Sequence, residues 1–293
     1  MSVRHSIQRI LHPTDLEESG RAALTLAATL ARQLWAKLHV LHVETPVAGV
    51  APAARTSAGA AAATSELARV SAAHQDIPFV AVARPGRVPS AAILEYADEN
   101  GVDLIVMSAR RLHLGFGHLL GSVAREVIEG SDLPVLTVRG GELDAHPRLA
   151  RVLVPVDFSP ATREALDLAA EIVRNVDGEV ILLHVLPEPS HGSLPPRWAP
   201  WHSRQEAHAE AELRDLAATL AVRTSTLVRA GSAVDEIVRC AAAPDVDLVV
   251  IASHASEGHR MVGGSIAEEV QRFAAAPVLL LKAASRQEQR VAS

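Results

Sequence analysis

The chain repeats itself, and that repeat constrains the fold more than any other feature of its 293 residues. His12 to Pro46 lies on Val154 to Glu188 without a gap, at the constant offset of 142 that separates Asp15 from Asp157. Shared positions include Pro13/Pro155, Asp15/Asp157, Arg21/Arg163, Leu24/Leu166, Leu26/Leu168, Arg32/Arg174 and the frame Leu41-His42-Val43/Leu183-His184-Val185. Alanine-rich composition gives scattered matches, but not Pro-x-Asp and Leu-His-Val frames at one offset. The offset is 144 at Val102-Asp103-Leu104/Val246-Asp247-Leu248 and 143 at Pro134/Pro277, so the second copy has lost one residue in the loop between them. Two homologous halves follow, read as domains 1–142 and 150–283 that meet near Gly140 to Ala150.

Each half reads as five strands alternating with four helices. In the first, strands are expected at Ile10–Thr14, Leu38–Val43, Pro78–Ala83, Leu104–Met107 and Val135–Val138. Helices are expected at Ser19–Trp35, Ser65–His74, Ser90–Asn100 and Gly121–Glu129. Leu24, Ala27, Ala28, Ala31 and Trp35 share one face of the first helix, and Gly101 suits a left-handed C-cap of the third. Thr45 to Thr64, rich in Ala, Pro and Gly, reads as a flexible insertion. The second half follows with strands near 152–156, 180–185, 226–229, 248–251 and 278–281, while the proline-rich Pro187 to His202 reads as a loop.

Runs such as Leu104-Ile105-Val106-Met107 do not alternate, so both faces of these strands are apolar, as in a parallel sheet covered by helices. Right-handed crossovers then give two doubly wound α/β domains, whose ligands sit beyond the carboxyl ends of the strands where the winding reverses. In a five-stranded parallel sheet of order 3-2-1-4-5 that reversal lies between strands one and four. The loops there carry Asp15 or Asp157 on one side, and Ser108 to Ser122 or Ala252 to Ser265 on the other. Both long loops finish in Gly-Ser, at Gly121-Ser122 and Gly264-Ser265. Gly-Ser opening a helix is a phosphate seat in form, with free N–H groups and the positive dipole end turned outward. The plain alternative is a serine N-cap with no ligand.

A net charge of −6 argues against a non-specific nucleic-acid binder. No run reaches the length of a membrane span, no signal-peptide core is visible, and Cys240 stands alone, so a cytoplasmic protein without disulfides is expected. Cys240 reads as a small core residue rather than a nucleophile. His42 and His184 read as structural, and no histidine spacing suits a dedicated metal site. Hydrolase, P-loop and dinucleotide signatures are also absent.

Taken together, Pro13-Thr14-Asp15, Pro155-Val156-Asp157, the two Leu-His-Val frames, Leu119-Leu120-Gly121-Ser122-Val123-Ala124-Arg125-Glu126-Val127 and its counterpart Val262 to Val270 resemble the universal stress protein family in its tandem form. The resemblance implies Rossmann-like domains of the adenine nucleotide alpha hydrolase-like kind, with helices on both sheet faces. It further implies a non-catalytic stress-response or signalling module binding ATP with Mg²⁺. Asp15, Val43, Ser108, Arg111, Gly121 and Ser122 would contact the nucleotide in the first half, and Asp157, Val185, Gly263, Gly264 and Ser265 in the second. The aspartates would bond the adenosine part or help hold the metal ion.

ATP-binding members carry Gly-x2-Gly-x9-Gly-(Ser/Thr). Here Ser108 and Arg111 replace the first two glycines, although the nine-residue spacer Leu112 to Leu120 is intact; in the second half Ala252 and Ala255 replace them and the spacer is one residue short. The phosphate loops are therefore degenerate. Arg110, Arg111 and His113, or His254, His259 and Arg260, read either as polyphosphate partners or as a solvated loop face. For Asp15 and Asp157 the plain reading is an Asx hydrogen bond that holds a turn. A weak ATPase or nucleotide-dependent switch, and an interaction protein with empty crevices, stay open as alternatives. The family also implies an intramolecular pseudo-dimer through the last strands, and a further homodimer of tandem chains, with no nucleic acid or membrane partner.

Overall fold

A computed structural model describes residues 6–45, 58–109, 120–139, 147–187, 199–253 and 266–282. The chain divides into two compact units, residues 1–147 and 148–293. The first contains β1 (Arg9–Thr14), a 3-10 turn (Glu18–Gly20), α1 (Arg21–Leu34), β2 (Lys37–Glu44), α2 (Ala58–Ala73), β3 (Phe79–Pro85), α3 (Pro89–Glu99), β4 (Leu104–Ala109), α4 (Ser122–Gly130) and β5 (Val135–Arg139). Its strands are parallel in the order β3-β2-β1-β4-β5. The second contains β6 (Arg151–Pro155), α5 (Pro160–Arg174), β7 (Glu179–Leu186), α6 (Ala199–Ala218), β8 (Arg223–Ala230), α7 (Ala233–Ala241), β9 (Leu248–Ser253), α8 (Ile266–Phe273) and β10 (Val278–Lys282). Its order is β8-β7-β6-β9-β10, again parallel.

Four consecutive residues are buried in β2, β4 and β9, so helices cover both faces of these strands. Ile10, Leu11, Leu104, Ile105 and Val106 have no exposed surface, and each such side chain contributes about 1.5–3 kcal/mol by leaving water. Helix α1 lies on this layer through Ala23, Ala27, Ala28 and Ala31, whose short side chains bring its backbone close to β1 and β4.

A carboxylate ties the start of strand one to the start of strand four in each half. Asp103 Oδ2 accepts from the N–H groups of Gln8 and Arg9, both at 2.8 Å, and its own N–H donates to the Arg9 carbonyl. Asp247 repeats this with Ala150, Arg151 and the Arg151 carbonyl. The repeat had marked Val-Asp-Leu without giving it a role.

Several local expectations need correction. Trp35 is not on the buried face of α1: it is the C-cap, in the left-handed region at φ 57°, and is 85% exposed. Its counterpart Asp177 adopts the same conformation at φ 51°, so chain reversal, not side-chain periodicity, governs that position. Helix α2 begins at Ala58, inside the stretch read as an insertion, because an alanine run has high helix propensity whatever its charge. Helix α6 begins at Ala199, inside the stretch read as a loop, with Pro200 in the first turn where a missing N–H costs nothing. Cys240 is half-buried rather than in the core. Gly101 does take the left-handed conformation expected of it, at φ 57°.

Candidate functional site

In the first half the winding reverses between β1 and β4. These strands pair at Ile10 with Leu104 and Leu11 with Ile105, so their carboxyl ends continue past a short ladder and a crevice opens between them. His12 fills the base of the gap. Its ring is buried, and Nδ1 donates to the Val106 carbonyl at 2.9 Å. A carbonyl only accepts, so the neutral ring carries its proton on Nδ1. Burial lowers the His12 pKa to about 4, against the opposing pull of the Val106 carbonyl and of Asp15.

Above His12 lies a cleft of about 470 Å³. Pro13, Leu41, Val43, Ile93 and Met107 give it an apolar wall, Asp15 and His42 stand on one side, and Ser108, Gly121, Ser122, Val123 and Ala124 on the other. Five expected residues, Asp15, Val43, Ser108, Gly121 and Ser122, thus line one cavity. Arg111, Gly263, Gly264 and Ser265 lie outside the described residues, as do the other loop cations named above. Asp157 and Val185 occupy the equivalent places in the second half, after β6 and near the end of β7. A separate cavity of about 340 Å³ lies between the start of α5 and the end of α6, and holds none of the expected residues.

The seat at α4 differs in detail from expectation. Gly121, not Ser122, is the N-cap, with φ −58° and no side-chain cap hydrogen bond. Arg125 N donates to the Gly121 carbonyl at 3.0 Å, the bond that opens the helix. The amides of Ser122, Val123 and Ala124 therefore belong to the first turn, whose N–H groups have no partner within the helix, and these residues line the cleft. Among the described residues a Cβ on Gly121 meets nothing within 4 Å. Gly121→Ala should thus leave the melting temperature unchanged within about 1 °C. Gly121→Trp should also fold, but abolish ligand binding in this half by filling the cleft; thermal scans and titration of both variants check the pair.

Opposite the seat, both aspartates make the Asx bond of the plain reading. Asp15 Oδ1 accepts from Glu17 N at 3.0 Å, and Asp157 Oδ1 from Ser159 N at 3.0 Å. They are not equivalent. Asp157 Oδ1 also takes the hydroxyl of Thr162, in the first turn of α5, where the first half has Gly20 and no hydroxyl to offer. Ser159 caps α5 by accepting from Thr162 N, as Ser-Pro suggests. His42 Nδ1 donates to the Thr14 carbonyl at 3.0 Å and His184 Nδ1 to the Val156 carbonyl at 2.7 Å, so both rings lock the end of strand two to strand one.

Sequence reasoning missed Leu16 and Phe158, which follow these aspartates with φ 64° and 62°. A left-handed bulky residue costs about 1–2 kcal/mol, and its recurrence in both halves marks a loop held in a fixed shape beside each crevice. No residue-type signal announces it. Pro89 and Ile93 were missed too, although proline at the start of α3 could have marked the end that faces the cleft.

Two segments of the chain, residues 6–139 and 149–282, match the family described as the universal stress protein family. A universal stress protein of Mycolicibacterium smegmatis is 27% identical over 167 residues, 56% of either chain, so this chain spans little more than half the length of that relative. Universal stress protein MJ0531 of Methanocaldococcus jannaschii is 28% identical over 139 residues, 45% of this chain and 81% of that one. Among solved structures, a universal stress protein of Archaeoglobus fulgidus superposes over 95% of this chain and 99% of its own, with a TM-score of 0.72 at 20% identity, a likeness of fold.

Proposed function

The chain belongs to the universal stress protein family, in tandem form, and from that premise we propose that it is a non-catalytic stress-response or signalling module whose first crevice binds an adenine nucleotide. The observation that carries this reading is that a helix N-terminus with no side-chain cap from its N-cap residue, a carboxylate and an apolar wall line one cleft, the three kinds of group that phosphate, ribose and base require. The base lies against Val43 and Ile93, the ribose hydroxyls reach Asp15, and the phosphates approach Gly121 and Ser122. Asp15 would help hold Mg²⁺, which would supply positive charge against the phosphates. In the second half Asp157 and Val185 take the corresponding roles.

The reading stops short of catalysis. His42 Nδ1 donates to the Thr14 carbonyl, which ties the ring to the strand end, and the sequence carries no hydrolase or P-loop signature. No helix among the described residues is long and apolar enough to cross a membrane; cytoplasmic placement and pairing of the two halves through their last strands, which would close an open parallel edge, belong to the same proposal.

Titration calorimetry with ATP·Mg²⁺ tests it. Binding is expected in the wild-type chain, with Asp15→Ala weakening it about tenfold by removing a charged acceptor. No heat at millimolar ATP contradicts the proposal. Phosphate release at the binding stoichiometry would replace it with a weak ATPase.

A further inference from the structure

We propose that Glu236 reads the base edge in the second half, and makes that crevice select a 6-amino over a 6-oxo purine. The inference rests on the second crevice taking a purine nucleotide, as argued above, and concerns what sets it apart from the first. In the first half Ile93 lines the cleft, and the residue before it, Ala92, packs against the tip of β2. A Cβ built on Gly86 would lie 2.9 Å from Ala92 Cβ and 2.8 Å from Val43 Cγ1, so Ala92 and the cleft-lining Val43 converge on one point.

In the second half the repeat puts Glu236 where Ala92 stands, beside Ile237 in the place of Ile93. Gly231 does the work of Gly86. Gly86 N donates to the Glu44 carbonyl at 3.0 Å and Gly231 N to the Leu186 carbonyl at 2.9 Å, and a Cβ on Gly231 would lie 3.2 Å from Glu236 Oε1. A carboxylate therefore sits beside Gly231, whose amide bonds to the end of β7, at the position that Ala92 holds next to the cleft-lining Ile93 in the first half. Glu236 is only 5% exposed. Its Oε1 pairs with Arg239, while Oε2 is buried with no hydrogen-bond partner among the described residues.

The fold has no need of a carboxylate here. Alanine serves in the other half, and α7 is already capped by Ser232, which accepts from Asp235 N. Burying an acceptor without a donor is unfavourable, and a ligand N–H would satisfy it. A 6-amino group can donate to Oε2; a 6-oxo group would set two acceptors face to face.

The test uses the full chain carrying Gly121→Trp, which fills the first cleft, and titrates it with AMP and with IMP. AMP should bind about tenfold or more tightly than IMP. Glu236→Ala should bring the two within about twofold while keeping the thermal midpoint. Glu236→Gln, whose amide can donate to an oxo group, should narrow or reverse the preference. Equal affinities without the Glu236 change, or a preference that survives Glu236→Ala and Glu236→Gln, would overturn the role of Glu236 and leave nucleotide binding standing. No binding of either nucleotide would instead remove the second crevice as a purine site, and the inference with it.

Discussion

Between pH 6.5 and 4 the first half should lose stability faster than the second. His12 has an ordinary pKa of 6.5 and one of about 4 when folded. The unfolded chain therefore binds a proton that the folded ring refuses, and stability rises with pH across that window. The contribution is fully present above pH 6.5 and is lost as pH falls towards 4, a change of about 3 kcal/mol for a fully buried ring. His39 adds in the same direction, since burial and the nearby charges of Lys37 and Arg9 also lower its pKa. The second half has Val154 and Ile181 at these positions and so has neither histidine. Against a domain stability of about 5–15 kcal/mol the asymmetry is large. Urea pulse proteolysis from pH 7 to 4, with fragments assigned to each half by mass, reads it. His12→Val, which copies the second half, should flatten the slope of the first. Equal acid sensitivity of the two halves, or an unchanged slope in His12→Val, would count against the account.

Removing either aspartate clamp should be similarly costly. Asp247→Ala strands the N–H groups of Ala150 and Arg151 and cuts the link between the starts of β6 and β9. These bonds are half-buried, so the expected loss is about 3 kcal/mol. Asp103→Ala frees Gln8 and Arg9 at a more exposed place, where water takes over in part, and should cost about 2 kcal/mol. Asn in place of either Asp keeps an acceptor but not the charge, and should recover about half. Urea midpoints of the four variants decide the matter; Ala variants within about 0.5 kcal/mol of wild type would show that the ladders hold the strands without the carboxylates.

How far the sequence leads depends on which interactions determine each feature. The doubled Pro-x-Asp and Leu-His-Val frames located both halves, and unalternating runs such as Leu104 to Met107 revealed strands covered on two faces, because repetition and burial leave a mark on every residue they touch. That Asp15, Val43 and Gly121 line one crevice was legible for the same reason, since topology brings fixed strand ends together. Trp35 was misread because helical spacing does not say where a helix stops. Leu16 and Phe158 gave no warning, as the turn imposes their left-handed backbone in spite of their own preference. Glu236 was invisible beside Asp235 in an acidic first turn until burial and the comparison with Ala92 separated them.

The central claim is that the first-half crevice at the β1/β4 reversal seats an adenine nucleotide with its phosphates on α4. Amide hydrogen exchange with and without millimolar ATP·Mg²⁺ tests it at the atoms concerned. The account expects slowed exchange at Ser122, Val123 and Ala124 and at Val43, abolished in Gly121→Trp; protection confined to other segments, or none at a concentration that saturates binding, would contradict it.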